Sequence, residues 1–378
     1  MSVSRRSFLR ALGGTAAALP FVSARGLEAQ SAGMPWRPVL APMIRLDSNE
    51  NPNGPAPEAL RAITEAFSES NRYPDFHTEQ LLATIARHFG VPQTQILLGC
   101  GSTETLKVAV EAFVTSERRL VTAAPTFEQV STTATQLGLP SIAVPVDQAL
   151  RLDLDAMIAA SAGAGLVFLC NPNNPTSTVH GADTMRGAID RILKASPDVI
   201  VLVDEAYHEY VDDPSYQSML PLALTEPRVL VSRTFSKIHG MAGLRLGFAV
   251  GRPETLQRMR RHVVPLGVNV LAAAAATTSL GLAGHVEQEH ARNLEAKRFT
   301  IGFFESAGYT VAPSEANFIM ADIRRSVVGF REACRKKDVL IGRPFPPLTN
   351  YARVTIGTME EMKMATGVFR EVLTTMGG

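Results

Sequence analysis

The chain has 378 residues, of which 46% are hydrophobic and 19% charged, with a formal net charge of +1. This predicts two domains, or a large domain with a smaller companion, built on a sizeable apolar core. The near-zero charge gives no support to nucleic-acid binding, and Cys100, Cys170 and Cys334 show neither metal-ligand spacing nor a CxxC pair.

At the start of the chain, Arg5-Arg6 with Phe8-Leu9, followed by the small apolar run from Ala11 to Val22, fits an export signal over residues 1–30. The paired arginines resemble a twin-arginine signal, so a periplasmic location is expected, or a cytoplasmic one if the signal is not used. No later run is long and charge-free enough to span a bilayer, and no stable membrane anchor is expected. Pro35, Pro38 and Pro42 mark a linker, and Arg45–Pro52 reads as a loop. Apolar spacing predicts helices over Pro57–Phe67 and Leu81–Phe89, the second stopped by Gly90 and Pro92.

From residue 96 onward, short apolar runs alternate with helical patterns, which predicts an α/β protein with a mainly parallel sheet. Ile96-Leu97-Leu98 runs into Gly99-Cys100-Gly101-Ser102-Thr103-Glu104 and then a helix through Leu106, Val110 and Phe113. Strand, glycine-rich turn and helix N-terminus together suit an anion, because free N–H groups and the helix dipole point the same way. The turn is neither a Walker A loop nor a GxGxxG fingerprint; Leu106 stands where the third glycine belongs. Further strands are expected at Leu120–Thr122, Ser141–Val146, Gly165–Cys170, Val199–Val203 and Val229–Val231. Phe127, just past one strand, suits the core or an aromatic ligand. Asn171–Thr176 places amides, Asn174 among them, at a strand end. Asp204 ends a buried strand, where it is an N-cap or a desolvated carboxylate that needs a positive charge or metal. Lys237, with Thr234, Ser236 and Arg245 nearby, is a point charge for a phosphate or a nucleophilic amine. Residues 308–378 read as a smaller α+β unit in which Arg353, on a strand, suits a carboxylate or a structural ion pair.

Four strand ends of one such sheet can converge on a single crevice. They offer a phosphate cradle, donors for a phenolic oxygen, a carboxylate for a pyridine nitrogen, a lysine for an aldehyde and an aromatic ring for stacking. Those are the needs of pyridoxal phosphate. The segments Leu46–Pro52, Asn171–Thr176, Asp204–Tyr207, Ser232–Lys237 through Gly247, and Arg353–Thr358 resemble fold-type I pyridoxal-phosphate-dependent aminotransferases, the histidinol-phosphate aminotransferase family among them.

The resemblance implies a large domain, residues 66–285, with a seven-stranded, mainly parallel sheet between helices, and a small α+β domain over 286–378. Residues 31–65 would form an N-terminal arm and part of the small domain. It implies that Lys237 is the Schiff-base lysine and proton carrier, that Asp204 pairs with the ring nitrogen, and that Tyr207 and Asn174 contact the phenolic oxygen. Phe127 would stack on the ring, while Gly101, Ser102, Thr103, Thr234, Ser236 and Arg245 hold the phosphate. Tyr73 would reach the phosphate of a partner subunit, which implies a homodimer. Arg353 would hold the α-carboxylate, with Asn51, Asn317 and Arg343 near the substrate. The loop between Arg343 and Arg353 departs from the family pattern in being short and proline-rich, and an export signal is unusual for histidine biosynthesis. The expected reaction moves an amino group between an L-amino acid, or histidinol phosphate, and a 2-oxo acid. The alternatives are a decarboxylase or lyase on the same scaffold, or a binding protein that kept the fold.

Overall fold

The computed structural model describes residues 43–375, which lie in one compact unit. The export segment and the proline linker fall outside the described residues. A seven-stranded sheet dominates: β2 (Ile96–Cys100), β3 (Leu120–Ala124), β4 (Ser141–Pro145), β5 (Leu166–Cys170), β6 (Ile200–Asp204), β7 (Val229–Thr234) and β8 (Leu246–Val250). Their spatial order is β2-β8-β7-β6-β5-β3-β4. Only β8 runs against its neighbours; β7, β6, β5, β3 and β4 are parallel.

The central strands read as unbroken apolar runs because both faces are covered. Val167, Leu169, Val201, Val203, Val229 and Val231 point to one face, where they meet Met185, Ile189 and Ile192 of helix Ala182–Ala195. Leu166, Phe168, Ile200, Leu202 and Leu230 point to the other, against Leu106, Val110 and Phe113 of helix Ser102–Phe113. Successive side chains alternate between the two layers, as strand geometry requires.

The smaller sheet is antiparallel, β12-β10-β9, from β9 (Thr310–Val311), β10 (Phe318–Asp322) and β12 (Tyr351–Thr355). Helices His285–Ser306, Val327–Arg335 and Met359–Thr375 cover it through Phe303, Phe304, Phe330 and Phe369. Among the described residues no helix is long and apolar enough to cross a membrane.

Three strands depart from the sequence expectation. β1 (Ile44–Leu46) overlaps the start of the segment Arg45–Pro52 read as a loop and pairs in parallel with β11 (Val339–Ile341). Each is three residues long, too short for periodicity to reveal, and each is made by a partner nearly three hundred positions away. β8 is the third; its Gly247 disguises a strand as part of a glycine-rich loop. Helix Pro57–Ala66, of which all but the last residue fell in the range assigned to the arm and small domain, packs instead beside the large sheet, where Ala59 joins Leu81, Ala272 and Ala276.

Next to Asp204, Glu205 is buried in a pair with Arg233 of β7, at 2.8 Å. Glu205 also accepts from Ser218 Oγ and the Met219 N–H, both at 2.6 Å. Removing one member of such a pair strands a charge in the interior. Glu205→Ala is therefore expected to lower stability by about 3–5 kcal/mol, measured as the shift of the urea unfolding midpoint. A loss below about 1 kcal/mol would show that Arg233 finds another partner or water.

Candidate active site

Parallel strands end on a common edge, so the residues that follow β5, β6 and β7 are neighbours whatever their separation in sequence. In register, Cys170 lies beside Asp204 and Asp204 beside Ser232. Above this edge lies a cavity of about 670 Å³, closed by the loop Asp47–Glu50 and by Phe345 and Arg353 of the small-sheet side.

One end of the cavity is lined by Ser102, Thr103, Thr234, Ser236 and Arg245. Two glycines make room there. A Cβ on Gly101, which has φ +77°, would sit 2.3 Å from Arg245 Nη2, and one on Gly247 would sit 2.3 Å from Ser102 N. Arg245 is held by its own Nη1, which donates to Ala242 O at 2.8 Å, while Nη2 reaches Thr103 Oγ1 at 3.4 Å. Hydroxyls, a guanidinium and the first N–H groups of a twelve-residue helix make this end a seat for a dianion.

The centre of the cavity is drier. Asp204 is 2% exposed and its Oδ1 is buried without a partner. Burial, reinforced by the Glu205 charge and opposed by Lys237, raises its pKa to about 7. Lys237 Nζ donates to the Asn49 carbonyl at 2.8 Å and lies 5.4 Å from the centre of the Tyr207 ring. Burial and the nearby Arg353 cation pull its pKa down to about 8, so a neutral amine is accessible under mild conditions. Tyr207 packs edge-on against Phe318, and burial raises its hydroxyl's pKa. Phe127, Asn174 and Cys170 complete this part of the lining.

At the outer wall, Arg353 Nη1 donates to Asn174 Oδ1 at 2.8 Å and Nη2 to Asp47 O at 2.6 Å. Its Nε is buried without a partner. Burial lowers its pKa to about 10, which still leaves it a cation at neutral pH. Arg343 stands at the mouth, stacked on Phe345 and ion-paired with the exposed Glu128.

Twelve of the sixteen residues expected from sequence line this cavity: Ser102, Thr103, Phe127, Asn174, Asp204, Tyr207, Thr234, Ser236, Lys237, Arg245, Arg343 and Arg353. Gly101 lies behind Arg245 rather than in the lining. Asn51 is a correction: it turns away, donating to Ile238 O and Glu289. Asn317 likewise works from behind, donating to the carbonyls of Asn49 and Glu50; both border a smaller, separate cavity of about 110 Å³. Tyr73 is 78% exposed and is not among the lining residues.

The sequence reading missed Asn49. Its φ of +53° turns the loop so that residue 49, and not residue 51, faces Lys237 and Tyr207. An asparagine in a proline- and glycine-rich loop is a known tenant of the left-handed region, but which of two neighbouring asparagines occupies it is not visible in a string of letters.

The model of the family described as aminotransferase class I and II matches residues 41–369. The chain belongs to that family. It is 38% identical over 335 residues to a histidinol-phosphate aminotransferase of Moorella thermoacetica, covering 88% of this chain and 86% of that one. It is 35% identical over 331 residues to an aromatic amino acid aminotransferase of Thermobifida fusca, covering 86% and 90%. Among solved structures, a candidate histidinol-phosphate aminotransferase from Erwinia carotovora atroseptica superposes with a TM-score of 0.84 at 31% identity, over 88% of this chain and 96% of that one. Family membership makes this chain an aminotransferase that uses pyridoxal phosphate.

The residues present fit that cofactor. The cradle suits its phosphate, and the unpartnered Asp204 Oδ1 is an acceptor buried where a ring N–H can satisfy it. Until it is satisfied, this carboxyl is a liability. Its folded pKa, about 7, lies above the ordinary 3.8, so the folded state binds more protons and this group's contribution falls as pH rises from about 4 to 7. Asp204→Asn is therefore expected to stabilise the cofactor-free protein by a few kcal/mol at pH 8 and by less at pH 5. Thermal unfolding at the two pH values checks this; equal shifts at both would show that Asp204 is not held protonated by burial.

Proposed function

We propose that this enzyme moves the amino group of an L-amino acid to a 2-oxo acid, with Lys237 as its amine nucleophile and proton carrier. The observation that carries the reading is the shared cavity: a half-buried amine, Lys237, and a buried carboxylate with an open oxygen, Asp204, beside a glycine-floored anion seat. When bound, pyridoxal phosphate supplies an electrophilic carbonyl and a ring that draws electrons from the substrate's Cα.

The chain's own groups do the remainder. Gly101 and Gly247 let the turn approach closely, and Ser102, Thr103, Thr234, Ser236 and Arg245 anchor the phosphate. Asp204 would accept a ring N–H and favour a cationic ring. Tyr207 and Asn174 would hold the phenolic oxygen, and Phe127 would support the ring face, all three lining the cavity. Lys237, whose pKa sits near 8, is poised to take a proton from Cα and deliver it elsewhere on the same face. Arg353 gives up Asn174 and Asp47 to bind the α-carboxylate as a fork, with its open Nε as one tine. Arg343 is ion-paired with Glu128 at the mouth, so a distal phosphate would compete with that carboxylate for it, whereas Arg353 inside the cavity suits a donor with an α-carboxylate. Exposed Phe67, Tyr73 and Phe76 support a homodimer in which Tyr73 reaches a partner's site; sedimentation velocity showing a monomer at micromolar concentration would refute it. The Arg5-Arg6-Ser7-Phe8-Leu9 segment supports export by the twin-arginine route, to be checked by N-terminal sequencing of the periplasmic fraction.

The test is a half-reaction screen. Holoenzyme is mixed with single amino acids and with histidinol phosphate, and loss of the cofactor's visible absorbance is followed together with oxo-acid formation. L-amino acids are expected to react, and Lys237→Ala to lose at least about 10²–10⁴-fold in rate. Carbon dioxide release in place of an oxo acid would establish the decarboxylase alternative. Arg353→Gln is expected to raise KM for the amino acid about 10- to 100-fold with a smaller change in kcat; an unchanged KM would remove Arg353 from carboxylate binding.

A further inference from the structure

Asn49 is 1% exposed and holds three elements at once. Its backbone carbonyl accepts from Lys237 Nζ at 2.8 Å and from Asn317 Nδ2 at 3.1 Å. Its N–H donates to Thr355 Oγ1 at 2.9 Å, and Thr355 Oγ1 in turn donates to Asn49 Oδ1 at 3.1 Å. The remaining amide group, Nδ2, donates to Tyr207 Oη at 3.1 Å.

This reciprocal pair settles which way the amide faces. The Thr355 hydroxyl already accepts the Asn49 N–H, and its single proton needs an acceptor; Oδ1 is the one in reach. Nδ2 must then face Tyr207. A phenol oxygen that receives a donor from one side turns its own proton to another. For Tyr207 the open side is the cavity, where Asn174 and Lys237 also lie.

We infer that Asn49, locked by Thr355, is a positioning residue that aims the Tyr207 hydroxyl proton at the phenolic oxygen of the cofactor. The inference rests on the reading of Tyr207 given above. Asparagine suits the task because it tolerates the φ of +53° found here while carrying a donor and an acceptor on one planar group. Other charges also face Tyr207. Lys237 lies over its ring, and Arg353, Asp204 and Cys170 act on its hydroxyl through space. None of these is altered by a change at position 49, so its effect can be isolated.

A donor aimed at the phenolic oxygen holds negative charge there and lowers the pH at which the Lys237-linked chromophore titrates. The experiment is a pH titration of holoenzyme absorbance in Asn49→Gly, Tyr207→Phe and the double variant. Glycine keeps the left-handed backbone, and with it the carbonyl that faces Lys237 and Asn317. Asn49→Gly is expected to raise the midpoint by about half a unit to one unit, the worth of one hydrogen bond. Tyr207→Phe should raise it further, and the double variant should match Tyr207→Phe alone, because the side chain removed from Asn49 reaches the site through that hydroxyl, while the carbonyl facing Lys237 is kept. Thr355→Val, which frees the amide to turn over, should move the midpoint in the same direction as Asn49→Gly. Additive shifts, or no shift in Asn49→Gly, would overturn the inference while leaving the role of Tyr207 intact. An unmoved midpoint in Tyr207→Phe would overturn the reading of Tyr207, and the role of Asn49 with it. Melting of each cofactor-free variant near the parent temperature, measured in parallel, excludes a general loss of fold as the source of a shift.

Discussion

One electrostatic constraint organises the site: a carboxylate, Asp204, sits at the end of a fully buried parallel strand with an oxygen that no group among the described residues satisfies. Desolvation on that scale favours the neutral acid. The site offers two remedies. Lys237, whose positive charge acts on that carboxyl, lowers the cost, and a cofactor whose ring nitrogen carries a proton would remove it. The same desolvation acts on Lys237 in the opposite sense and brings its amine toward neutrality. Two groups of opposite charge type are thus both tuned toward neutral pH by a single physical cause. That is the condition under which one carries protons and the other holds a ring cation.

Around this pair the chain divides labour by element. Strand ends of the large sheet supply Asn174, Asp204 and Lys237; a glycine-floored turn supplies the anion seat; β12 supplies Arg353. The loop Asp47–Glu50 joins them, because Asp47 O holds Arg353 and Asn49 O holds Lys237. Substrate carboxylate on Arg353 competes with Asp47 and Asn174 for the same guanidinium. Binding at the outer wall is thereby coupled to the loop that contacts the amine, through hydrogen bonds that number only three or so.

The surroundings of Asp204 also show how buried charge is contained. Glu205, its chain neighbour, would by itself raise the local cost further, but Arg233 on the adjacent strand, Ser218 and a backbone N–H take up its lone pairs. The pair lies on the side away from the cavity, so the cavity has to accommodate one buried carboxylate and not two.

The α/β class, the cofactor and most of the cavity lining are legible in the chain's letters. Apolar runs that end in Asp204 or in Thr234 to Lys237 are legible because burial and strand polarity are local properties of the letters. Glycine-rich turns are legible for the same reason. Contacts between distant segments and orientations within a loop arise only once the chain is folded. The pairing of β1 with β11 joins Ile44 to Val339, and no local pattern encodes a partner that far along the chain. β8 was hidden because a single glycine, there to admit Ser102, outweighs its neighbours in a pattern reading. Asn49 and Asn51 are equivalent as letters; the left-handed backbone at position 49, where Thr355 bonds both the N–H and Oδ1, goes with one residue in the cavity lining and the other turned to Ile238 and Glu289.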